Sequence, residues 1–586
     1  MKSLQAQVTG LLGTVLLGAM IVLPAGGCST LKKTAPPQAT EQSPPAFPRE
    51  FRAAWVTTWE NVDWPSSGSL STVEQQKEID ATIERARELK LNALILQVRG
   101  AANAIFPSTH EPWAGSLTGK RGKAPNPLYD PLQMWINKCH AAGIELHAWI
   151  VPFTAWDDPP GTYKGNHKPK TVKHGKYTYF NPGDEETRKY VTEVVTDIVR
   201  TYALDGVAFE HHTYPDPTTQ PSTMPVSRGA GAAVEPNPQR REFPDDETFN
   251  EQPRGYKKQH DWRRDNINRF VKGLSQAVHQ TKPWVRLGIS PFGIPSPETP
   301  DFVKGAPYLD QYEVTYADPA LWLRNGWCDY MMPELYWKTG APNQPFPALL
   351  DWWADPKRNP KERNIYSGLF TSAVNQFSTS WSPDEITGQI MITRSTPGAS
   401  GHGHFSMRAL NQNRKGLADL LQQGPYSQGA LPPKSPWLGK NAPAAPSGVR
   451  AERISPPDAR AMSGKRIIQT PWASPSRLTG PTTRPFATLR PPTTQKAAKE
   501  QALGGVKLSW DAPKSSAVWR WAIYSKHGDR WHYQLVGRGE SKNDEPVVAL
   551  VPDDLDDGPA TVIAVSAIDH VGNESARVTA DLTKAK

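Results

Sequence analysis

The sequence predicts a (β/α)8 barrel followed by a small all-β sandwich. Two patterns favour the barrel: eight apolar runs typical of buried strands lie between residues 49 and 440, and segments of helical periodicity separate them. The runs after residue 503 are short and separated by turn residues, which favours the sandwich. At 586 residues the chain exceeds one ordinary core, so at least two domains are expected.

The N-terminus has the features of an export signal. A lysine near the start precedes an apolar run from Leu11 to Leu23, and small residues lead to Cys28. This arrangement predicts a cleaved signal over residues 1–27 rather than a membrane-spanning helix. The letters AGGC that end at Cys28 resemble a bacterial lipobox, which implies a lipid on that cysteine. A plain signal peptide and a soluble exported product are the alternative.

A Pro-rich tether over residues 28–48 leads from the anchor to the barrel. The barrel region at 49–440 is longer than the roughly 250 residues of a plain barrel, so long loops are expected. Helical periodicity is clearest at VEQQKEIDATIERARELK, DEETRKYVTEVVTDIVRTY and DWRRDNINRFVKGLSQAVHQ. The predicted strands are 51–59, 92–99, 144–151, 206–210, 286–292, 329–337, 364–370 and 402–410.

The C-terminal region is predicted to form a second, separate core. Residues 441–503 are Pro-rich with little periodicity, which predicts a linker. Residues 504–586 contain strand-like runs such as WRWAIYSK and ATVIAVSAID, and the closing AVSAIDHVGNES resembles a fibronectin type III module. Because a long linker separates the cores, we expect the barrel to fold without the sandwich.

Charge and cysteine content exclude two classes of protein. The formal net charge is +9, but the basic residues are scattered and form no run typical of a nucleic-acid surface, so no nucleic-acid partner is expected. After Cys28 the chain has Cys139 and Cys328 alone, too few for a disulfide framework in a large exported protein. Both are predicted to be buried thiols.

Several long stretches between about Arg49 and Trp437 resemble the bacterial family-10-like glycosyl hydrolases. They are RAAWVTTWENVDWPS, LILQVRGAANAIFPS, EPWAGSLTG, YDPLQMWINKCHAAGIELHAWIVPF, FPDDETF, DWRRDNINRFV, KPWVRLGISPFGI, GWCDYMMPELYW and LPPKSPWL. The resemblance implies an exported (β/α)8 barrel, often followed by a fibronectin-like domain. It also implies action on a cell-wall or surface polysaccharide, with peptidoglycan glycan strands as the favoured substrate class.

The chain departs from the family pattern at positions that matter for chemistry. The family has paired aspartates at the end of the fourth strand, where this chain has Glu210 and His211. Asn103 replaces an aspartate, Val151 an asparagine and Glu334 a glutamine. The resemblance therefore implies the fold more firmly than the activity.

Alternation along the strands predicts which side chains face the barrel lumen. Successive strand residues point to opposite faces, so apolar Val207 and Phe209 facing the helices leave Glu210 inside. The same parity places Glu334 inside. Both glutamates then lie near the carboxyl ends of the fourth and sixth strands, the end at which barrel enzymes build their sites.

Two inward carboxyl groups at one end of a barrel favour glycoside hydrolysis. That reaction needs one protonated carboxyl as general acid and one ionised carboxylate as nucleophile or base. We predict Glu210 as the acid and Glu334 as the ionised partner. The alternative is that Glu210 forms an ion pair with Arg99 while Glu334 is a solvated rim residue.

Further lumen and rim side chains are candidate sugar contacts. Parity places Arg99 and His147 in the lumen, where they suit hydroxyl or carboxylate groups, although an ion pair and a core histidine are the alternatives. Tryptophans near strand ends offer flat faces to sugar rings. The predicted substrate-binding residues are Trp59, Arg99, Asn103, His147, Trp149, His211, Tyr336 and Trp337.

The histidines permit a different chemistry. His402 and His404 share one face of the last strand, and with Glu210, His211 and His212 they allow a zinc-dependent hydrolase as a second alternative. An H-x-H pair alone is weak evidence, so surface or packing roles are expected for these histidines. No metal and no cofactor are predicted.

Taken together, these patterns predict a monomeric, lipid-anchored glycoside hydrolase of the cell envelope. Ser29 after Cys28 favours the outer membrane by its resemblance to lipoprotein sorting rules. The alternative from another class is a non-catalytic glycan-binding lipoprotein, favoured by the lost aspartates. Release of reducing ends from a glycan separates the two, since both predict glycan affinity.

Overall fold

The structure is a computed structural model. It describes residues 44–159, 161–175, 177–210, 213–215, 242–303, 310–375, 377, 379–464, 504–513, 518–537, 546–553, 557–580 and 582. The predicted signal peptide, the first part of the tether with Cys28, the pair His211 and His212, and residues 465–503 of the predicted linker lie outside this part of the chain. Among the described residues, no helix has both the length and the apolar character needed to cross a bilayer.

Eight parallel strands close into a barrel, which confirms the predicted fold class. Around the barrel the order is β1-β8-β7-β6-β5-β4-β3-β2. The strands are β1 (Phe51–Val56), β2 (Ala93–Arg99), β3 (Glu145–Ile150), β4 (Gly206–Glu210), β5 (Arg286–Ser290), β6 (Tyr330–Met331), β7 (Asn364–Leu369) and β8 (Ala399–His404). A small antiparallel sheet of Thr154–Ala155, Thr171–His174 and Tyr177–Phe180 belongs to the loop after β3.

Helices cover the outside of the barrel, and local sequence signals define several of their ends. Ser71 and Glu74 form a capping box at the helix Thr72–Glu88, and Asp184 caps Glu185–Thr201. The other helices of the barrel region are Pro131–Ala141, Asp246–Glu251, Gln259–Thr281, Gln311–Val314, Pro319–Asn325, Phe346–Ala354, Pro383–Ser395, Met407–Asn411 and Leu417–Gln423. Both cysteines, Cys139 and Cys328, are buried free thiols as predicted.

The predicted alternation of side chains is confirmed for most strands. Two hydrophobic clusters occupy the two faces of the barrel wall. The outer cluster contains Leu94, Leu96, Leu146, Ala148, Ile150, Val207, Phe209 and Met331, and the lumen cluster contains Phe51, Trp55, Ile95, Trp149, Ala208, Tyr330, Met332, Tyr336, Tyr366, Phe370 and Phe405. The period of two therefore sorts the residues between the helix-facing side and the lumen side of the barrel wall.

Two predicted strands have different bounds in the structure. β6 is only two residues long, because the chain after Met331 makes isolated bridges rather than a continuous ladder. β8 ends at His404, and the apolar segment Met407–Asn411, predicted to continue the strand, forms a helix instead. An apolar run of this length fits a buried strand or a buried helix equally well, so periodicity could not separate them.

The C-terminal region forms two antiparallel sheets. One has the order β9-β10-β13, with β9 (Ser447–Ile454), β10 (Gly505–Asp511) and β13 (Val547–Pro552), and the other has the order β12-β11-β14-β15, with β11 (Arg520–His527), β12 (Arg530–Gly537), β14 (Ala560–Ile568) and β15 (Val578–Ala580). Because β9 pairs with β10, the sandwich starts before the predicted boundary at residue 504. The helix Pro456–Gly464 follows β9.

The sandwich packs directly against the amino-terminal end of the barrel. A hydrophobic cluster joins Phe47 and Leu431 to Ala522, Tyr524 and other residues of the sandwich. Buried Arg520 donates to the main-chain oxygen of Gly143 at 3.1 Å and to Glu145 Oε1 at 3.0 Å. The barrel and the sandwich keep separate hydrophobic cores, and this interface joins them although a Pro-rich segment lies between them in the sequence.

Candidate active site

The two predicted catalytic glutamates lie at the carboxyl end of the barrel. Glu210 is the last residue of β4 and pairs with Ser290 of β5. Glu334 follows β6 and bridges Phe292 on one side and Gly368 on the other. Its N–H donates to the main-chain oxygen of Pro291 at 3.0 Å. Backbone contacts to both neighbouring strands therefore fix the position of Glu334 although β6 itself is short.

Two glycines allow the chain to approach Glu334 this closely. A Cβ atom added at Gly293 would lie 2.2 Å from the main-chain oxygen of Glu334, and one added at Gly368 would lie 2.7 Å from that of Pro333. Any larger residue would push Glu334 away from the neighbouring strands. The glycines therefore set the depth of this carboxyl group in the barrel mouth.

The two glutamates face each other across β5. Neighbouring strands are about 4.8 Å apart, so strands β4 and β6 are separated by about 10 Å. Glu210 is 6% exposed and Glu334 is 4% exposed, so both carboxyl groups are largely removed from water. This separation of strands is compatible with a sugar lying between two carboxyl groups.

Burial shifts the protonation of this pair. It raises the pKa of Glu210 well above its ordinary value, and the nearby charge of Glu334 adds to the effect. Burial also raises the pKa of Glu334, to about 8. Burial raises the pKa of the Tyr336 phenol, and the charges of Glu334 and Glu210 raise it further. Tyr336 therefore lies near both carboxyl groups. The pair therefore holds at least one proton at neutral pH.

This result agrees with the role predicted for Glu210 and differs for Glu334. A raised pKa keeps Glu210 protonated, as a general acid requires. The sequence predicts an ionised Glu334, whereas burial raises its pKa to about 8 and so favours the protonated form at neutral pH. The alternation of side chains predicts that Glu334 points into the lumen, but it does not predict how deeply the carboxyl group is buried.

Aromatic side chains line the lumen beside the carboxyl groups, and the sequence did not predict three of them, Trp55, Phe370 and Phe405, as site residues. Tyr336 stacks on Phe370 with ring centroids 5.1 Å apart, and Phe405 lies 5.9 Å from Tyr336. Trp149 packs edge-on against Trp55 at 5.0 Å. The alternation of side chains along the strands could have identified these aromatic residues, because it places them in the lumen. Together they make the lumen around the pair of glutamates apolar.

Gln97 is a further lumen residue that the sequence did not predict as a site residue. Its Oε1 accepts hydrogen bonds from the N–H groups of Thr58 and Trp59, at 3.1 and 2.8 Å. Because Oε1 must face these two donors, the orientation of the amide is defined. Gln97 thus ties the turn after β1 to the end of β2 and holds Trp59 at the rim of the mouth.

The parity prediction is wrong for Arg99. The register between β2 and β3 shifts after Gln97, so that Arg99 lies opposite outward-facing Ile150. Such a bulge moves every later side chain to the other face. The Arg99 guanidinium is buried against Glu111, with contacts of 2.8 and 2.6 Å, and does not reach Glu210. It is a structural ion pair rather than a sugar contact.

His147 faces the lumen as predicted, but too deep to touch a substrate. It is fully buried, its Nδ1 lies 2.9 Å from the Tyr330 hydroxyl, and its Nε2 lies 3.4 Å from Glu145. Burial lowers the pKa of His147, so the imidazole is neutral. Glu145 is the first residue of β3, and His147 therefore belongs to the lower layer of the barrel.

The remaining predicted contacts fall into two groups. Trp337 packs in the outer cluster against Phe292 at 5.7 Å, so it points away from the mouth. Asn103 lies in the loop after β2, largely buried, where its Oδ1 accepts from the N–H of Ala101 at 3.4 Å. Trp59 begins the turn after β1 at the mouth, and Tyr336 is 8% exposed beside the carboxyl pair, whereas Trp149 is fully buried in the lumen cluster.

The histidine pair of β8 faces away from the lumen. A Cβ atom added at Gly403 would lie 2.5 Å from Met332 Sδ in the lumen, so the alternate residues His402 and His404 point outward. Their Nε2 atoms lie 2.5 and 2.6 Å from the hydroxyl of Tyr426. Within the described ranges, no cluster of three His, Cys, Asp or Glu side chains has the arrangement of a metal site.

Comparison with known proteins places this barrel in one family. Residues 50–383 match the model of the glycosyl hydrolase-like 10 family. The chain is 31% identical to glycosyl hydrolase YngK of Bacillus subtilis strain 168 over 458 residues, which cover 76% of this chain and 82% of that protein. The chain belongs to the glycosyl hydrolase-like 10 family. Membership confirms the predicted family and the predicted enzyme class, a glycosidase.

A second relative and a solved structure extend the comparison. The chain is 28% identical to glycosyl hydrolase DigH of Escherichia coli strain K12 over 406 residues, covering 65% of this chain and 82% of that protein. Among solved structures, the glycoside hydrolase domain of PgaB (BpsB) from Bordetella bronchiseptica aligns with 15% identity and a TM-score of 0.42, covering 64% of this chain and 98% of that one.

Proposed function

We propose that this member of the glycosyl hydrolase-like 10 family cleaves peptidoglycan glycan strands at the cell envelope, with Glu210 and Glu334 as the reacting carboxyl groups. One observation carries the proposal. Two carboxyl side chains from β4 and β6 face one lumen at the carboxyl end of the barrel, close enough for the charge of Glu334 to raise the pKa of Glu210. That arrangement meets the requirement for an acid and a second carboxylate.

The different surroundings assign the two roles. Burial and the neighbouring carboxylate both hold the proton on Glu210, so Glu210 protonates the glycosidic oxygen as the leaving sugar departs. Burial alone raises the pKa of Glu334, so Glu334 ionises first and acts on the anomeric carbon side as nucleophile or base. The phenol of Tyr336 lies beside both groups and orients the sugar between them.

Fewer sugar-contacting residues are proposed here than the sequence alone predicts. Trp59, Tyr336 and Asn103 remain proposed contacts, because they lie at the mouth, beside the carboxyl pair or in the adjoining loop. His211 also remains a proposed contact from its place beside Glu210 in the sequence. Arg99, His147, Trp149 and Trp337 are no longer proposed, since the structure buries them elsewhere.

The cellular location of the protein and the fold type of its C-terminal domain are also proposals. The apolar leader and the lipobox-like letters before Cys28 support export and lipid anchoring, with the outer membrane favoured by Ser29. Anchoring there would keep the enzyme beside envelope glycans. Two antiparallel sheets of three and four strands support a fibronectin type III-like sandwich.

Purified peptidoglycan glycan strands test the activity. The wild-type protein is expected to release reducing ends from the strands, whereas the Glu210→Gln variant, which has nearly the same shape, is not. Binding of strands by both proteins without release by either would contradict the enzymatic proposal and favour a glycan-binding lipoprotein. Release from another purified polysaccharide, but not from these strands, would contradict the proposed substrate alone.

The anchor is tested separately by fractionation. Replacing Cys28 by serine removes the attachment site of the lipid, so the mature protein should move from the membrane to the soluble fraction. Unchanged membrane fractionation of Cys28→Ser would contradict the lipid anchor. Activity on soluble strands should be the same in both proteins, since the anchor lies outside the barrel.

A further inference from the structure

We propose that Trp59 and Trp156 form a sugar-stacking platform on one flank of the barrel mouth, and that this platform makes cleavage dependent on the length of the glycan chain. Their rings lie 5.9 Å apart at an angle of 30°. Trp156 is 40% exposed, which is unusual for a tryptophan. The inference rests on the proposed glycan cleavage and extends it to the chain beyond the reacting sugar.

The position of the platform follows from the loops that carry it. Trp59 begins the short turn Trp59–Asn61 after β1, and Trp156 lies in the loop after β3. Loops that follow parallel strands of a barrel meet at its carboxyl end. β3 is the neighbour of β4, so the platform lies on the β1–β3 side of the mouth, beside the strand that carries Glu210.

Hydrogen bonds hold the backbone of the loops that carry both tryptophans. The N–H of Trp59 donates to Gln97 Oε1 at 2.8 Å, and Asn61 Nδ2 donates to the main-chain oxygen of Ser116 at 2.8 Å, which ties this turn to the loop after β2. The N–H of Trp156 donates to the Tyr163 hydroxyl oxygen at 3.2 Å. The backbone of these loops therefore needs little ordering when a ligand contacts the rings.

The electrostatics of the platform favour an uncharged ring. Arg121 lies over Trp156, with its guanidinium carbon 5.4 Å from the ring centroid. Asp158 neutralises that charge through two contacts, one of them 3.1 Å from Arg121 Nε to Asp158 Oδ1. The flat exposed surface of Trp156 and a balanced charge beside it suit the apolar face of a neutral pyranose.

A bound chain would then contact the protein at two places. The sugar at the carboxyl pair lies over β4 to β6, and a sugar farther along the chain lies on Trp156 over the loops of β1 to β3. The length dependence requires that a short oligosaccharide held at the carboxyl pair does not extend to Trp156. Only longer chains gain the stacking energy, which predicts cleavage within chains and weak activity on short ones.

The test compares Trp156→Ala with Trp284→Ala on glycan strands fractionated by length. Trp284 is a matched control, because it is 36% exposed but stacks on His570 of the sandwich, away from the mouth. Loss of one aromatic stacking contact should lower kcat/KM on long strands about tenfold, through KM, and leave the shortest cleavable strands unchanged. Trp284→Ala should behave as wild type on both.

The same substitutions are tested for binding in the Glu210→Gln background. Long strands should bind about tenfold more weakly when Trp156 is replaced by alanine, and thermal unfolding should be unchanged because the ring is exposed. Equal effects of Trp156→Ala at every length, or none, would overturn the platform. Strand binding that depends on Trp156 without any cleavage by the wild-type protein would overturn the proposed chemistry and keep the platform.

Discussion

The two ends of the barrel both bury carboxyl groups, yet they favour opposite protonation states. At the amino-terminal end, burial alone would raise the pKa of Glu145, but Arg286, His147 and Arg520 lower it to about 2. At the carboxyl end, burial raises the pKa of Glu334 to about 8. Burial is therefore the common factor, and the groups around each carboxyl decide its charge.

The difference separates a structural carboxylate from a carboxyl group that we propose to be reactive. Glu145 accepts from Arg286 and from Arg520, and through Arg520 it joins the barrel to the sandwich. Glu334 adjoins Tyr336, which stacks on Phe370 in the aromatic lumen cluster. A carboxyl group that must exchange a proton at working pH needs a raised pKa, and the aromatic end of the lumen provides it.

Glu210→Gln is the largest expected perturbation of the carboxyl end. The amide keeps the shape of the side chain but removes the proton that the leaving sugar needs, so turnover should fall at least about a hundredfold. Binding of glycan strands should be retained. Turnover and strand affinity of the purified variant measure this, and turnover within about tenfold of wild type would place the acid elsewhere.

Arg520→Ala is the corresponding perturbation of the amino-terminal end. It leaves Glu145 buried with one guanidinium partner fewer, so the free energy of unfolding should fall by about 3 kcal/mol. Denaturant unfolding measures the change. Lys507→Ala in the same sandwich removes the exposed contact with Glu452 and should change stability by no more than about 0.5 kcal/mol. Equal effects of the two substitutions would contradict the docking role of Arg520.

The same isosteric substitution should have opposite effects on stability at the two ends. Glu145→Gln leaves two buried guanidinium groups without their carboxylate, so the melting temperature should fall. Glu334 has a folded-state pKa above its ordinary value of 4.5, so its contribution to stability is lost as pH rises from about 4.5 to about 8. Because glutamine does not titrate, the Glu334→Gln variant does not lose stability in this way as the pH rises.

The melting temperature of Glu334→Gln should therefore exceed that of the wild-type protein by at least about 2 °C at pH 8, and match it near pH 4. Thermal unfolding of both variants across this pH range is the measurement. A destabilised Glu334→Gln protein at pH 8 would show that the carboxylate is held by favourable contacts, and the comparison between the two ends would fail.

The pH dependence of activity gives the finest test. The second carboxyl group must be ionised to react, and burial raises the pKa of Glu334 to about 8. The rate should therefore fall as pH decreases below about 8, while protonated Glu210 sustains activity above neutral pH. An acid limb near pH 4.5 in the profile of kcat/KM would contradict the assignment of Glu334.

The sequence by itself determined the barrel, the family and the inward direction of Glu210 and Glu334. These follow from local rules, since the alternation of side chains in a strand has a period of two wherever the strand lies. Apolar Val207 and Phe209 were enough to place Glu210 in the lumen. The long family motifs added the enzyme class.

Only the tertiary structure decided which inward residues reach a substrate. The bulge that turns Arg99 toward Glu111 depends on the register with β3, and the depth of His147 depends on how the eight strands are staggered. The docking of the sandwich depends on Arg520 meeting Glu145, 375 residues away. Register, stagger and docking arise between segments distant in the chain, and pKa shifts arise from the surroundings that those segments create, so no local pattern encodes them.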